Sequence, residues 1–388
     1  MADIKALAKK YSEKMIEDRR YIHMNPELGN EEYNTSAYIC KQLDSIGIKY
    51  KAGIAKTGVL GEIGNGKGKC ILIRADMDAL PMEELNDVLY KSRNPGVCHS
   101  CGHDSHTAIL LGVARILKEC ENEINGTVKF CFQPAEEASC GGAQQMVAEN
   151  VLDGVDAAIA LHVDPSTRVG TAIIERGAIT SYPDFFSITF KGKGAHGSFP
   201  SNGIDPIAPA VSAYNMINMI HKKISPLEHS VIQVCMIDAG TAQAVIPEKV
   251  VMQGTVRTQS LANRELVRSQ LEAIAKSVCD VFGTTYEYDY RGRCMPVVND
   301  GEMVDIAIDA TKTVFDKVLP TLGSMRIGGE DFCFISDKVP SCMMVLGSSD
   351  GTARTSYAHH NPHFDIDERA LEIGASALAM IAMEYLNR

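Results

Sequence analysis

The sequence predicts an α/β protein with a mostly parallel central sheet and a smaller βαββαβ unit inserted into it. Three observations predict this. Short, continuous apolar runs have the character of strands buried on both faces, amphipathic helical stretches alternate with them, and the order of elements changes near Ser181. A length of 388 residues agrees with two domains rather than one core.

Residues 3–21 place Ile4, Leu7, Ala8, Tyr11 and Met15 at helical spacing, which gives one apolar face. Pro26 and Gly29 break that helix, and a second amphipathic helix is expected over 34–46. KCILIRA (69–75) is a short apolar run of the kind found in parallel sheets. A helix over 105–118 follows, with Asp104 placed to cap it. Then come a strand TVKFCFQ (127–133), a helix over 141–150 and a strand AAIALHV (157–163).

From Asp184 the pattern predicts a strand (184–191), a helix (205–222), two strands (231–238 and 249–257), a helix (261–281) and a strand (284–290). That succession is the ferredoxin-like split unit. The expected domains are therefore residues 1–183 with 296–388, and residues 184–295. After Pro296 the expected elements are a helix over 302–318, a strand SCMMVLG (341–347) and a helix over 367–386.

A net charge of −11 opposes nucleic acid and anionic membrane surfaces as partners. No apolar run approaches the length that crosses a bilayer, and the charged N-terminal helix has neither an apolar h-region nor a small-residue cleavage site. The expected location is the cytoplasm. Of twelve cysteines, Cys70, Cys131, Cys235 and Cys333 lie in apolar runs, as buried small hydrophobes do. Reduced thiols are expected, so a cysteine in a polar motif is a candidate ligand or nucleophile.

Chemistry concentrates in CGHDSHTA (101–108), where Cys101 and His103 are two positions apart and can close on one metal ion. A lone CxH is more simply a polar loop, and a lone EE pair a solvated acidic turn. Here PAEE (134–137), LHV (161–163) and HHNP (359–362) add the other ligand types, each at the end of an expected strand. In open α/β sheets ligands gather at that rim. Cys101, His103, Glu137, His162 and one C-terminal histidine make five donors, which suits two ions about 3.5–4 Å apart rather than one. Of Glu136 and Glu137, one can bind metal while the other stays free as a base.

RADMDALP (74–81), CGHDSHTA, PAEE, LHV, GKGAHGSFP (192–200), GTVRT (254–258), GGEDF (328–332) and HNPHFDIDE (360–368) together resemble the M20 metallopeptidase family. Within it they are similar to the aminoacylase, hippurate hydrolase and auxin-conjugate amidohydrolase subgroup. The resemblance implies a zinc-peptidase-like catalytic domain with an inserted lid and dimerisation domain. It implies that Cys101 bridges two metals, that His103, Glu137, His162 and His360 complete the ligand set, and that His359 is only a neighbour. Glu136 would be the general base, and Asp78 would orient a group beside the metals. His196 would reach a partner subunit's site to stabilise the oxyanion, and Arg257 would bind the substrate carboxylate.

The implied activity is metal-dependent hydrolysis of N-acyl-amino acids by a homodimer carrying two divalent ions per subunit. Zn²⁺ or Mn²⁺ is expected, with Co²⁺ and Ni²⁺ also compatible. A carboxypeptidase or dipeptidase acting on short peptides is the alternative within hydrolases. A non-catalytic metal- or ligand-binding relative is the alternative from another class, and the intact Glu136 argues against it, since a binding module needs no spare base beside a ligand glutamate. One departure stands out: relatives carry asparagine before VIP, and here Ala244 occupies that place. Cys98, His99 and His363 receive no role, His106 is read as a packed histidine, and Met runs 216–219 and 343–344 as core.

Overall fold

The computed structural model describes residues 2–138, 141–292, 294–321 and 328–388. The chain divides into two compact units: Met1–Gly177 with Val297–Gly323 and Asp331–Arg388, and Ala178–Pro296 with Ser324–Glu330.

The first unit is built on an eight-stranded sheet. Its centre is four neighbouring parallel strands in the order Thr127–Gln133, Cys70–Asp76, Ala157–Arg168, Ser341–Ser349. Every position of Cys70–Asp76 and of Ser341–Ser349 is buried: the apolar stretches 70–73 and 342–346 fill the core, and buried Arg74 and Asp76 pair with each other at 2.8 Å. The register sets Asp76 beside Gln133 and Val345 beside His162, so the carboxyl ends of these strands share one rim. Helices Ile4–Met24, His103–Glu119 and Arg369–Asn387 pack against one another over the core.

Three features depart from the sequence-based expectation. Strands Lys49–Ile54 and Gly58–Gly64 form an antiparallel hairpin that extends the sheet beyond Thr127–Gln133. Ala55 and Lys56 hold positive φ (47° and 79°) in its turn, so none of the Asn-Gly or Asp-Gly chemistry that marks hairpins is present. The helix expected over 302–318 is Gly301–Thr311, capped by Asp300, and Lys317–Leu319 is instead a strand parallel to Thr171–Ile173. The helix after the central motif begins at His103, not Ser105, with Gly102 at its N-cap. Asp104 does not cap it; its carboxylate is buried inside the first turn, where Arg19 and His23 hold it.

The second unit is a four-stranded antiparallel sheet ordered Ser230–Ala239, Lys249–Thr258, Tyr182–Lys191, Thr285–Gly292. Helices Ile207–Ile217 and Leu261–Phe282 pack against it. Alternation does the sorting: along Lys249–Thr258 every second residue (Val250, Met252, Gly254, Val256, Thr258) is buried. Phe186, Ile188, Phe190, Val250 and Met252 meet Ala213, Ile217, Val267 and Leu271 in one apolar core. A short ribbon pairs Ala195–His196 with Val245–Ile246. Met343 and Met344 are core, but Met216 and Met219 are 42% and 50% exposed on the outer side of their helical segment. Cys235 is likewise exposed, because it alternates with buried Ile232 and Val234 and so falls on the face of its strand turned from the core.

Among the described residues no helix is long and apolar enough to cross a membrane. The described cysteines, Cys101 among them, are free thiols.

Candidate metal centre

Four separate stretches meet at the rim of the first unit. Cys101 precedes the helix that His103 opens, Glu136 and Glu137 follow Thr127–Gln133, His162 lies in Ala157–Arg168, and His360 follows Ser341–Ser349. Cys101, His103 and His162 offer ligand atoms within 4.8 Å of one another, and so do Cys101, Glu137 and His360. Cys101 is common to both groups. His103, Glu136 and Glu137 form a third group by the same measure. Individual approaches are Cys101 Sγ to His162 Nε2 at 3.6 Å and His360 Nε2 to Glu137 Oε1 at 2.9 Å.

Local backbone geometry makes the meeting specific. Gly102 separates Cys101 from His103 at φ 91°, and a Cβ there would come 2.5 Å from Val163 Cγ2. Only glycine lets the loop lie this close to the His162 strand. Ala135 (φ 55°) and His360 (φ 61°) are non-glycine residues in the left-handed region, each beside or within the donor set. Ala135 is tied there by its N–H to Glu32 Oε1 at 2.8 Å, and His360 by its N–H to the Ser100 carbonyl at 2.8 Å.

Asp78 is buried between two donors. Its Oδ1 lies 3.1 Å from His103 Nδ1, and its Oδ2 accepts from the Glu137 backbone N–H at 2.9 Å. The His103 Nδ1 contact turns Nε2 toward the cluster, and that buried atom has no hydrogen-bond partner among the described residues. Asp76 Oδ2 is 3.6 Å from it, beyond hydrogen-bond reach, and a buried imidazole nitrogen grouped with a thiol and the Glu136 and Glu137 carboxylates is what a divalent cation satisfies. Burial pushes the Cys101 thiol well above its ordinary range. Burial would lower the His103 imidazole, but the charges of Asp76 and Cys101 outweigh it and hold that ring well above its usual value. A metal needs the thiolate and the neutral ring, so loading displaces protons from both. The residues present thus fit a divalent ion pair with Cys101 shared.

The other residues singled out above lie elsewhere or have other partners. His359 does not join the donor groups; its Nε2 lies 3.0 Å from the Val163 carbonyl. His99 is buried with neither ring nitrogen partnered among the described residues, and burial lowers it to about 3, so it stays neutral. His363 is half-buried beside Tyr357, with ring centroids 5.1 Å apart. His196 and Arg257 belong to the second unit. His196 is exposed, and its Nδ1 accepts from Ser198 N–H at 3.1 Å. Arg257 Nη1 donates to the Val256 and Asp184 carbonyls at 2.9 and 3.2 Å, and its guanidinium lies 5.2 Å from the Phe185 ring centre. Ala244 adjoins the His196 ribbon: its carbonyl accepts from Gly197 N–H at 2.7 Å. The missing amide is therefore missing next to His196.

His106 is packed, as the sequence suggested, but its pairing with Asp76 and the role of Arg19 were not foreseen. Asp76 Oδ1 lies 2.5 Å from His106 Nδ1. The available signal was the i, i+3 spacing of His103 and His106, which puts both rings on one helix face.

A family model for peptidase family M20/M25/M40 matches residues 72–384. The chain belongs to this family. It is 37% identical over 379 residues to thermostable carboxypeptidase 2 of Saccharolobus solfataricus, covering 96% of each chain. It is 36% identical over 359 residues to N-acetyl-L-cysteine deacetylase of Bacillus subtilis, covering 92% of this chain and 84% of that one. The Bacillus subtilis YXEP protein, a dinuclear metal binding peptidase of the M20 family, superposes with a TM-score of 0.86 at 32% identity, covering 98% and 99% of the two chains. The protein is accordingly a metal-dependent hydrolase of amide bonds, and the donor groups around Cys101 are of the kind that can hold divalent ions.

Proposed function

We propose that this protein hydrolyses N-acyl-amino acids to a carboxylic acid and an amino acid. The observation that carries the reading is the second carboxylate. Glu136 lies within 4.8 Å of His103 and Glu137 donor atoms, yet Cys101, His103, Glu137, His162 and His360 already supply a ligand set without it. Relatives named N-acetyl-L-cysteine deacetylase and IAA-amino acid hydrolase ILR1-like 4, at 36% and 34% identity, support the substrate class.

When bound, two divalent ions supply Lewis acidity toward water and toward the scissile carbonyl. Glu136 takes the proton of the attacking water and delivers it to the leaving nitrogen. Asp78 holds the His103 ring and the Glu137 backbone in place through the contacts above. His196 serves a partner subunit's site, where it donates to the developing oxyanion: Ser198 N–H occupies its Nδ1, so Nε2 carries the proton. Arg257 receives the substrate carboxylate. Zinc or manganese suits a mixed thiolate, imidazole and carboxylate set. The free thiols fit work in the reducing cytoplasm.

Cys101→Ala should lose most bound metal, because both donor groups share this sulfur; elemental analysis showing two ions retained would remove Cys101 from the shell. Arg257→Ala should raise KM for an N-acetyl-amino acid roughly 10–100-fold, the worth of a charged hydrogen bond, and move kcat far less. An unchanged KM would take Arg257 out of substrate binding.

The carboxypeptidase reading has its own support in two Saccharolobus solfataricus relatives, at 37% and 36% identity. A panel of N-acetyl, N-benzoyl and dipeptide substrates separates the two, since a peptidase would prefer the dipeptides. We also propose a homodimer through the second unit. Ser230–Ala239 is a sheet edge that exposes Met236 and Ile237 (59% and 49%), and Val211 of helix Ile207–Ile217 is 55% exposed. Sedimentation should show a dimer that Met236→Lys with Val211→Lys dissociates; a monomeric parent protein would refute this.

A further inference from the structure

His106 is fully buried in the helix that carries His103, and both of its ring nitrogens are engaged. Nδ1 meets Asp76 Oδ1 at 2.5 Å, and Nε2 accepts from the Val163 N–H at 3.0 Å. A neutral imidazole that accepts at Nε2 carries its proton on Nδ1, where it donates to Asp76. Asp76 is itself fixed, because its Oδ2 accepts from Arg74 Nη1 at 2.8 Å. Asp76, His103 and His106 atoms fall within 4.8 Å of one another, but His106 has no lone pair left for a cation.

The Val163 backbone is where this pair reaches the metal centre. Its N–H is held by His106, while its carbonyl accepts from His162 Nδ1 at 2.7 Å and from His359 Nε2 at 3.0 Å. Donation from Nδ1 selects the His162 tautomer with a bare Nε2, the atom 3.6 Å from Cys101 Sγ. The His106 and His162 rings also touch edge to face, with centroids 4.6 Å apart.

We propose that His106, anchored by Asp76, is a positioning residue for His162: by holding the Val163 N–H it fixes the residue whose carbonyl receives His162 Nδ1, and so sets the His162 ring with Nε2 facing Cys101. The inference rests on the reading of Cys101 and His162 as metal ligands. It assigns work to a histidine that binds neither metal nor substrate. Partners that orient a ligand in this way change metal affinity by roughly 10–100-fold when removed.

The test is cobalt titration of the metal-free protein and three variants, followed by calorimetry and by the thiolate-to-cobalt charge-transfer and ligand-field absorption. His106→Phe keeps an aromatic ring and removes both polar contacts. His106→Gln places an amide oxygen where Nε2 accepted from Val163, and His106→Asn reaches only Asp76. The parent protein should take up two equivalents. His106→Phe should weaken one of them roughly 10–100-fold and shift the ligand-field bands, leaving the other near its original affinity. His106→Gln should stay close to the parent and His106→Asn should resemble His106→Phe.

Unchanged affinities and bands in His106→Phe would overturn the proposal. So would equal weakening in the Gln and Asn variants that tracks their loss of thermal stability, which is what packing alone predicts. Should the Phe variant not fold, the Gln and Asn pair still decides. A parent protein that takes up no cobalt would overturn the ligand reading itself, and this inference with it.

Discussion

Glu136→Gln should lower kcat for N-acyl-amino acid hydrolysis by roughly 10²–10⁴-fold, the usual contribution of a general acid–base group. The amide keeps the size of the side chain and removes its ability to take a proton. Each of the two donor groups around Cys101 has three donors without Glu136, so the variant should still hold two ions. The contrast between lost turnover and retained metal is what identifies a base. Full activity would remove Glu136 from that role, whereas metal loss would make it a ligand.

Arg19→Leu should destabilise the first unit by about 3–5 kcal/mol, the typical cost of breaking one side of a buried ion pair. Arg19 is fully buried, with Nε on Asp104 and Nη2 on Asp365, each at 2.8 Å. Asp104 also meets His23 Nδ1 at 2.8 Å, and His23 Nε2 lies 3.2 Å from Glu84. Burial alone would raise the Asp104 carboxyl; the charges of Arg19 and His23 outweigh it and hold the group well below the carboxylate range. Without Arg19 two buried carboxylates lose their principal counter-charge. The neighbouring Arg20 is the control: its pair with Glu368 is solvent-facing, so Arg20→Leu should cost no more than about 1 kcal/mol. Denaturant unfolding of the metal-free proteins measures both, and equal effects would show that the buried network is not what holds this region.

Much of the architecture was legible because the relevant signals are local. Short, mostly apolar runs at 69–75 and 341–347 mark central parallel strands, and period-two alternation marks the strands of the second unit. What escaped depends on tertiary context. The Lys49–Gly64 hairpin turns on Ala55 and Lys56, residues that ordinarily avoid positive φ. Asp104 looks like an N-cap by composition, but its charge is claimed by Arg19, 85 positions away. Ligand types were readable at strand ends, since a shared rim is a property of parallel topology. The roles of Asp76 and His106 were not, because they depend on the Val163 N–H meeting the far side of an imidazole. Such a contact leaves no spacing in the chain.

The central claim is that two divalent ions around Cys101 make this protein an amidohydrolase. Metal-free protein titrated with Zn²⁺ or Mn²⁺, while hydrolysis of N-acetyl-amino acids is followed, tests it most directly. Activity should be absent without metal and rise to its maximum as the second equivalent binds. Full activity without metal, or none toward any amide with two equivalents bound, would contradict the account.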